Sequence, residues 1–121
     1  MMSGGGQDQF ETPDMTQARV QALVDQHTVL LFMKGAKSFP QCGFSDTANK
    51  ILDTFEDICD YHTVDVLADS AIRDGVKIFS QWPTIPQLYI GGEFIGGSDI
   101  MLDLYQSGEL KELVVKAAQG K

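Results

Sequence analysis

Cysteine is scarce in this chain: Cys42 and Cys59 are the only two in 121 residues. Two thiols are too few for a disulfide scaffold and too few for a four-thiolate metal site within one chain. They point to an intracellular compartment that keeps thiols reduced. Basic residues are also few, nine Lys and Arg against seventeen Asp and Glu, for a formal charge of -8. A surface of that sign repels phosphate backbones and anionic headgroups, so neither nucleic acid nor a membrane is an expected partner. Long apolar runs are missing; the longest, Val29 to Met33, is far short of a membrane span. The first fourteen residues lack a basic start followed by an apolar stretch, and Asp8, Glu11 and Asp14 precede the first arginine, Arg19. They resemble neither a secretory signal nor an intact organelle presequence.

What remains has the composition of an ordinary globular domain, 43% apolar and 21% charged. Residues 1–13, with Gly4, Gly5 and Gly6, are expected to form a flexible arm or a cloning remnant ahead of one domain over 14–121. Asp14 and Gln17 suggest a capped start for a helix over 15–26, with Val20, Leu23 and Val24 on one face. Thr28 to Met33 reads as a central strand buried on both sides. After a loop containing Pro40, Phe44, Ala48, Ile51, Leu52 and Phe55 follow helical spacing from a start near Cys42. Tyr61 to Val66 reads as a second strand, and Asp69 as the cap of a helix carrying Ile72, Val76 and Phe79. Gln87–Ile90 and Glu93–Ile95 form a hairpin through Gly91-Gly92. Ser98 or Asp99 is expected to cap the next helix, Gly108 to end it, and Leu110, Leu113, Val114 and Ala117 to line the last one. The sum is an α/β domain, a four-stranded mixed sheet flanked by about five helices.

Between His27 and Ser45 there is no acidic residue, while Lys34 and Lys37 both lie there. Cys42 falls at the mouth of the second helix, where unpaired N–H groups and the positive dipole end favour a thiolate. Gly43 leaves room beside the sulfur. Free cysteines in such turns also serve simply as small apolar residues. Ser45 stands where a C-x-x-C redox site would carry its second thiol, so any mixed disulfide on Cys42 needs an outside thiol to resolve it, or an approach by Cys59. Cys59, beside Ile58 and Asp60, is expected to be a buried core residue.

Four segments together resemble the monothiol glutaredoxins of the Cys-Gly-Phe-Ser type, within the thioredoxin-like fold. They are Met33-Lys34-Gly35, Phe39-Pro40-Gln41-Cys42-Gly43-Phe44-Ser45, Trp82-Pro83-Thr84-Ile85-Pro86-Gln87-Leu88-Tyr89, and Gly91-Gly92-Glu93-Phe94-Ile95-Gly96-Gly97-Ser98-Asp99-Ile100. The match runs over about residues 15–118.

The resemblance implies glutathione bound in a groove beside Cys42, with Gly43 and Phe44 adjoining the sulfur. It also implies a [2Fe-2S] cluster held between two subunits by two Cys42 sulfurs and two glutathione sulfurs. The chain would be a homodimer with the cluster and a monomer without it, exchanging the cluster with iron-sulfur assembly and recipient proteins. Lys34 would meet the glycyl carboxylate or steady the thiolate. Arg73 and Lys77, which alone read as a solvated helix face, would add positive charge. Thr84 and Ile85 would meet the cysteinyl part across a cis Ile85–Pro86 bond, where spacing alone predicts trans. Gly97, Ser98 and Asp99, alone a helix cap, would receive the γ-glutamyl end. Many family members carry cysteine at position 98, so the serine removes a disulfide partner for Cys42.

Two functions follow from the resemblance: a cluster carrier, or a thiol–disulfide oxidoreductase removing glutathione from protein mixed disulfides. The inserted residues Ala36 to Phe39 resemble an arrangement associated with weak turnover. Bacterial cytoplasm, mitochondrial matrix and plastid stroma all suit such a protein. A plain interaction module is the remaining alternative.

Overall fold

The computed structural model describes residues 11–120; the arm expected at the N-terminus lies, over residues 1–10, outside the described residues. The elements run α1 (Pro13–Gln26), β1 (Val29–Met33), β2 (Gly35–Ala36), β3 (Phe39–Pro40), α2 (Gly43–Asp53) and β4 (His62–Asp65). They continue with α3 (Ser70–Ser80), β5 (Gln87–Ile90), β6 (Glu93–Gly96), α4 (Ser98–Ser107) and α5 (Glu109–Gln119).

All five residues of β1 are buried because the strand is central, in a sheet ordered β4-β1-β5-β6. It runs parallel to β4 and antiparallel to β5, which pairs antiparallel with β6. The two-residue period of a strand divides β1 between two cores. Leu30 and Phe32 meet Val20, Val24, Ile72, Val76 and Tyr89 on the α1/α3 side. Val29, Leu31 and Met33 meet Ile51, Leu52, Leu88, Met101 and Val114 on the side of α2, α4 and α5. Four mixed strands between five helices is the expected architecture, and Gly91 and Gly92 take the positive φ values (60° and 85°) of a tight hairpin.

Several local expectations are corrected. Helix α1 is capped by Thr12, whose Oγ1 accepts from the Met15 N–H at 3.1 Å, with Pro13 in the first turn where its missing N–H costs nothing. Asp14 is only a first-turn acid, and Gln17 donates from Nε2 to the Gly75 carbonyl of α3 at 2.9 Å. That contact joins two helices already in close approach, since a Cβ at Gly75 would meet Thr16 Cγ2 at 2.5 Å. Asp69 does cap α3, accepting from the Ile72 N–H at 3.1 Å, and it also pairs with Arg19. Tyr61 and Val66 are buried but flank β4 rather than belonging to it.

Residues 35–40, expected as a loop, form a short ribbon. Gly35 enters it at φ 97°, and a Cβ there would sit 2.6 Å from the Gln41 nitrogen. The ribbon is tied down at several points. Gly35 N–H donates to Asp65 Oδ1 (2.9 Å), Gln41 N–H to the Lys34 carbonyl (2.8 Å), and Asn49 Nδ2 to the Lys37 carbonyl (2.7 Å). Cys59 is half-buried rather than buried: it packs against the α2/α4/α5 core while its thiol faces the Asp60 carbonyl at 3.4 Å, because α2 has already ended at Thr54.

Candidate functional site

Cys42 is the N-cap of α2, in extended conformation (φ -149°, ψ 155°), as the position of the helix start predicts. A cap residue turns its side chain back over the first turn, and here the atom doing so is sulfur. The Ser45 N–H donates to Cys42 Sγ at 3.4 Å, and Ser45 Oγ lies 3.3 Å from the same sulfur. Ser45 is fully buried, and its Oγ accepts the Lys34 N–H at 3.0 Å. With a lone pair so engaged, its hydroxyl proton is free to point at the sulfur.

Partial burial pushes the Cys42 thiol up. The Ser45 hydroxyl, the Ser45 and Phe44 N–H groups and the Lys34 charge pull it down further, so the net displacement is below the ordinary thiol range. A Cβ at Gly43 would meet nothing within 4 Å, so the space beside the sulfur is open. Phe39 and Phe44 flank it as exposed aromatic rings, 70% and 65% accessible.

Next to this turn is a cavity of about 420 Å³. It gathers Lys34, Phe44, Lys77, Thr84, Ile85, Gly97, Ser98 and Asp99 from five separate stretches of chain. Gly43 and Arg73 do not line it, and Cys42 adjoins it through Phe44 and Lys34. The Arg73 guanidinium instead stands 3.6 Å from the neighbouring Asp74 carboxylate. Lys34 and Lys77 form no ion pair among the described residues, so both line the cavity unpaired, with the Asp99 carboxylate in the same lining.

Helix α4 opens onto the cavity differently from expectation. Its N-cap is Gly97, with no side-chain cap, so Ser98 and Asp99 are first-turn residues and the leading N–H groups stay unclaimed by any side chain. The Ile85–Pro86 bond is cis. Trp82, Pro83, Pro86 and Ile100 also line the cavity. Trp82, Pro83 and Ile100 are visible in the motif without a role, because an apolar wall has no chemical signature in sequence, whereas Pro86 is expected only as the cis residue. The Trp82 indole Nε1 is buried without a partner among the described residues.

Such a site can hold an extended small molecule bearing carboxylates against a single polarised sulfur. Comparison with known proteins agrees in fold and in family. The glutaredoxin family model matches residues 29–95. A monothiol glutaredoxin (ycf64-like) of Synechocystis is 54% identical over 99 residues, covering 82% of this chain and 91% of that one. The rice chloroplastic monothiol glutaredoxin-S7 is 53% identical over 105 residues, covering 87% of this chain and 61% of its own length. The solution structure of reduced poplar apo GrxS14 superposes with a TM-score of 0.72 at 48% identity, covering 84% of this chain and 91% of that one. With one cysteine at the head of α2 and serine three positions on, this chain of thioredoxin-like fold belongs to the glutaredoxin family, in its monothiol branch.

Proposed function

We propose that the chain binds glutathione in the cavity beside Cys42 and carries a [2Fe-2S] cluster, as cargo, between two subunits. The cluster would come from an assembly scaffold and pass to apo-proteins. The observation that carries this reading is Cys42 itself: one sulfur biased towards thiolate, with buried Ser45 in place of a second thiol. Among the described residues no group of three or more His, Cys, Asp or Glu could hold a metal. The donor set must then be completed from outside, by a second Cys42 and two glutathione sulfurs.

The cavity suits the tripeptide. Lys34 and Lys77 offer charge to a carboxylate, and Ile85 offers backbone to the cysteinyl part. The uncapped start of α4 at Gly97, Ser98 and Asp99 offers N–H groups and a carboxylate to the γ-glutamyl end. Gly43 keeps the approach to sulfur open, and Phe39 and Phe44 supply an apolar rim for the second subunit. Arg73 adds only long-range charge. Because glutathione is held without a covalent bond, a recipient's thiols can displace it stepwise and the dimer falls back to monomers. Such chemistry needs a compartment rich in reduced glutathione.

Anaerobic reconstitution with iron, sulfide and glutathione tests this. One iron and one tripeptide per chain in a coloured dimer are expected, and a colourless monomer from protein with a free Cys42 thiol would overturn it.

The lowered Cys42 thiol also favours a second reading. The thiolate attacks the glutathione sulfur of a protein mixed disulfide, releasing the protein thiol, and a second glutathione thiolate then displaces Cys42 to give glutathione disulfide. Turnover is expected to be slow. A rate matching a dithiol glutaredoxin would make this the main activity.

A further inference from the structure

Gln87 opens β5 as a fully buried primary amide, opposite Phe32 in register and two residues before Tyr89 on the same face. Burying such an amide is costly unless its hydrogen bonds are met, and an apolar side chain would fill the place without that cost. The amide is met on both sides: Oε1 accepts from the Tyr89 hydroxyl at 3.5 Å, and both donations go to one turn. Nε2 donates to the Trp82 carbonyl at 3.0 Å and to the Thr84 carbonyl at 3.1 Å, both in the turn that walls the cavity. The Trp82 N–H is also held from within, by the Lys77 carbonyl (3.2 Å) and Ser80 Oγ (3.1 Å). The N–H and C=O of Ile85, by contrast, hydrogen-bond to no described residue.

We infer that Gln87 is a positioning residue for ligand binding: its amide draws the Trp82 and Thr84 carbonyls inward, so that the turn offers its Ile85 backbone pair to an extended peptide ligand. The inference deepens the glutathione reading and rests on it. Without the amide, the two carbonyls lose their partner and must rotate towards water, carrying Ile85 with them. Gln87 touches neither Cys42 nor the cavity, so its loss should weaken binding without altering the sulfur.

The test uses the full ¹⁵N-labelled chain titrated with reduced glutathione, following the Ile85 amide, with the pH profile of Cys42 alkylation as the control. For the wild type a saturable Ile85 shift is expected. Gln87→Met, which keeps the volume, should bind about ten-fold more weakly, the order expected for losing a hydrogen-bonded positioning group, with the alkylation profile unmoved. Gln87→Glu supplies a second measurement should the methionine variant fail to fold. Burial against two carbonyls pushes such a carboxyl up; protonated it keeps one donor, and once ionised at high pH it can donate to neither carbonyl, so its affinity relative to wild type at the same pH should fall as pH is raised. Wild-type affinity in Gln87→Met, or an affinity in Gln87→Glu that stays constant relative to wild type as pH is raised, overturns the positioning role while leaving the glutathione reading intact. Absence of any saturable shift in the wild type overturns the glutathione reading itself.

Discussion

The Lys34 N–H donates to Ser45 Oγ at 3.0 Å, joining the end of β1 to the first turn of α2 through a side chain that water does not reach. The same oxygen stands 3.3 Å from Cys42 Sγ. The position that lacks a resolving thiol is therefore a polar link between backbone and sulfur. It is the residue on which the ionisation of Cys42 most depends, since its hydroxyl is the strongest of the groups pulling the thiol down.

Replacing Ser45 by Ala removes that hydroxyl but keeps the N–H. The Cys42 thiol should rise, and the pH profile of iodoacetamide alkylation should move to higher pH. In the wild type the profile should inflect below the ordinary thiol value of about 8.5. The linked stability has a definite sign. Because the folded state lowers this thiol, ionisation of Cys42 stabilises the fold fully above the ordinary value, and the gain disappears as pH falls through the folded one. Superimposable profiles for wild type and variant would show that the serine does not tune the sulfur.

Two glycines at the site should respond differently. A Cβ at Gly97 would meet the Pro86 carbonyl at 3.3 Å and Trp82 Nε1 at 3.6 Å, both at the cavity wall. Gly97→Ala should lower glutathione affinity several-fold by calorimetry. Gly43→Ala, facing open space at the first position of α2, should fold as well as the wild type. Equal effects on binding would contradict the distinction.

Lys77 lines the cavity without an ion pair among the described residues, whereas Arg73 lies outside it near Asp74. Lys77→Gln should weaken glutathione binding and flatten its dependence on salt. Arg73→Gln should change both much less. A larger loss from the arginine variant would relocate the anion-binding charge one turn along α3.

The His27 and His62 rings stack with centroids 3.8 Å apart. Burial, then the His27 and Lys37 charges, hold the His62 imidazole below its ordinary range. The unfolded chain thus takes up this proton at higher pH than the folded one, and stability should rise with pH across the interval below about 6.5. Urea midpoints at pH 5 and pH 7 should differ less in His62→Phe than in the wild type. An unchanged difference would assign the acid sensitivity elsewhere.

The features legible in sequence were those with a repeating or chemically singular mark. The burial of β1 on both faces, the helical spacing after Phe44, the Asp69 cap and the Gly91-Gly92 turn all stand as read. So does Cys42 at the head of α2. The ribbon at 35–40 was illegible because two-residue strands carry no period, and only the clash at a Gly35 Cβ reveals the sharp turn. The start of α1 was misplaced although Thr12-Pro13 is a strong start signal; Asp14 and Gln17 mimic a capping box while Gln17 is spent on Gly75. Ser98 and Asp99 were misread as caps for a related reason, since Gly97 takes the cap position with no side chain to announce it. The roles of Gln87 and Ser45 depend on partners brought together by the fold, which local patterning does not encode.

Strand β5 begins at Gln87, beside the cavity, and ends at Ile90, where Gly91 and Gly92 turn the chain back. At about 3.4 Å per residue the hairpin tip is roughly one strand length from the chemistry. Glu93, next to that turn, is exposed. The molecule thus has a remote pole where a fluorophore or affinity handle can be attached at Glu93 while the sulfur and its neighbours remain undisturbed.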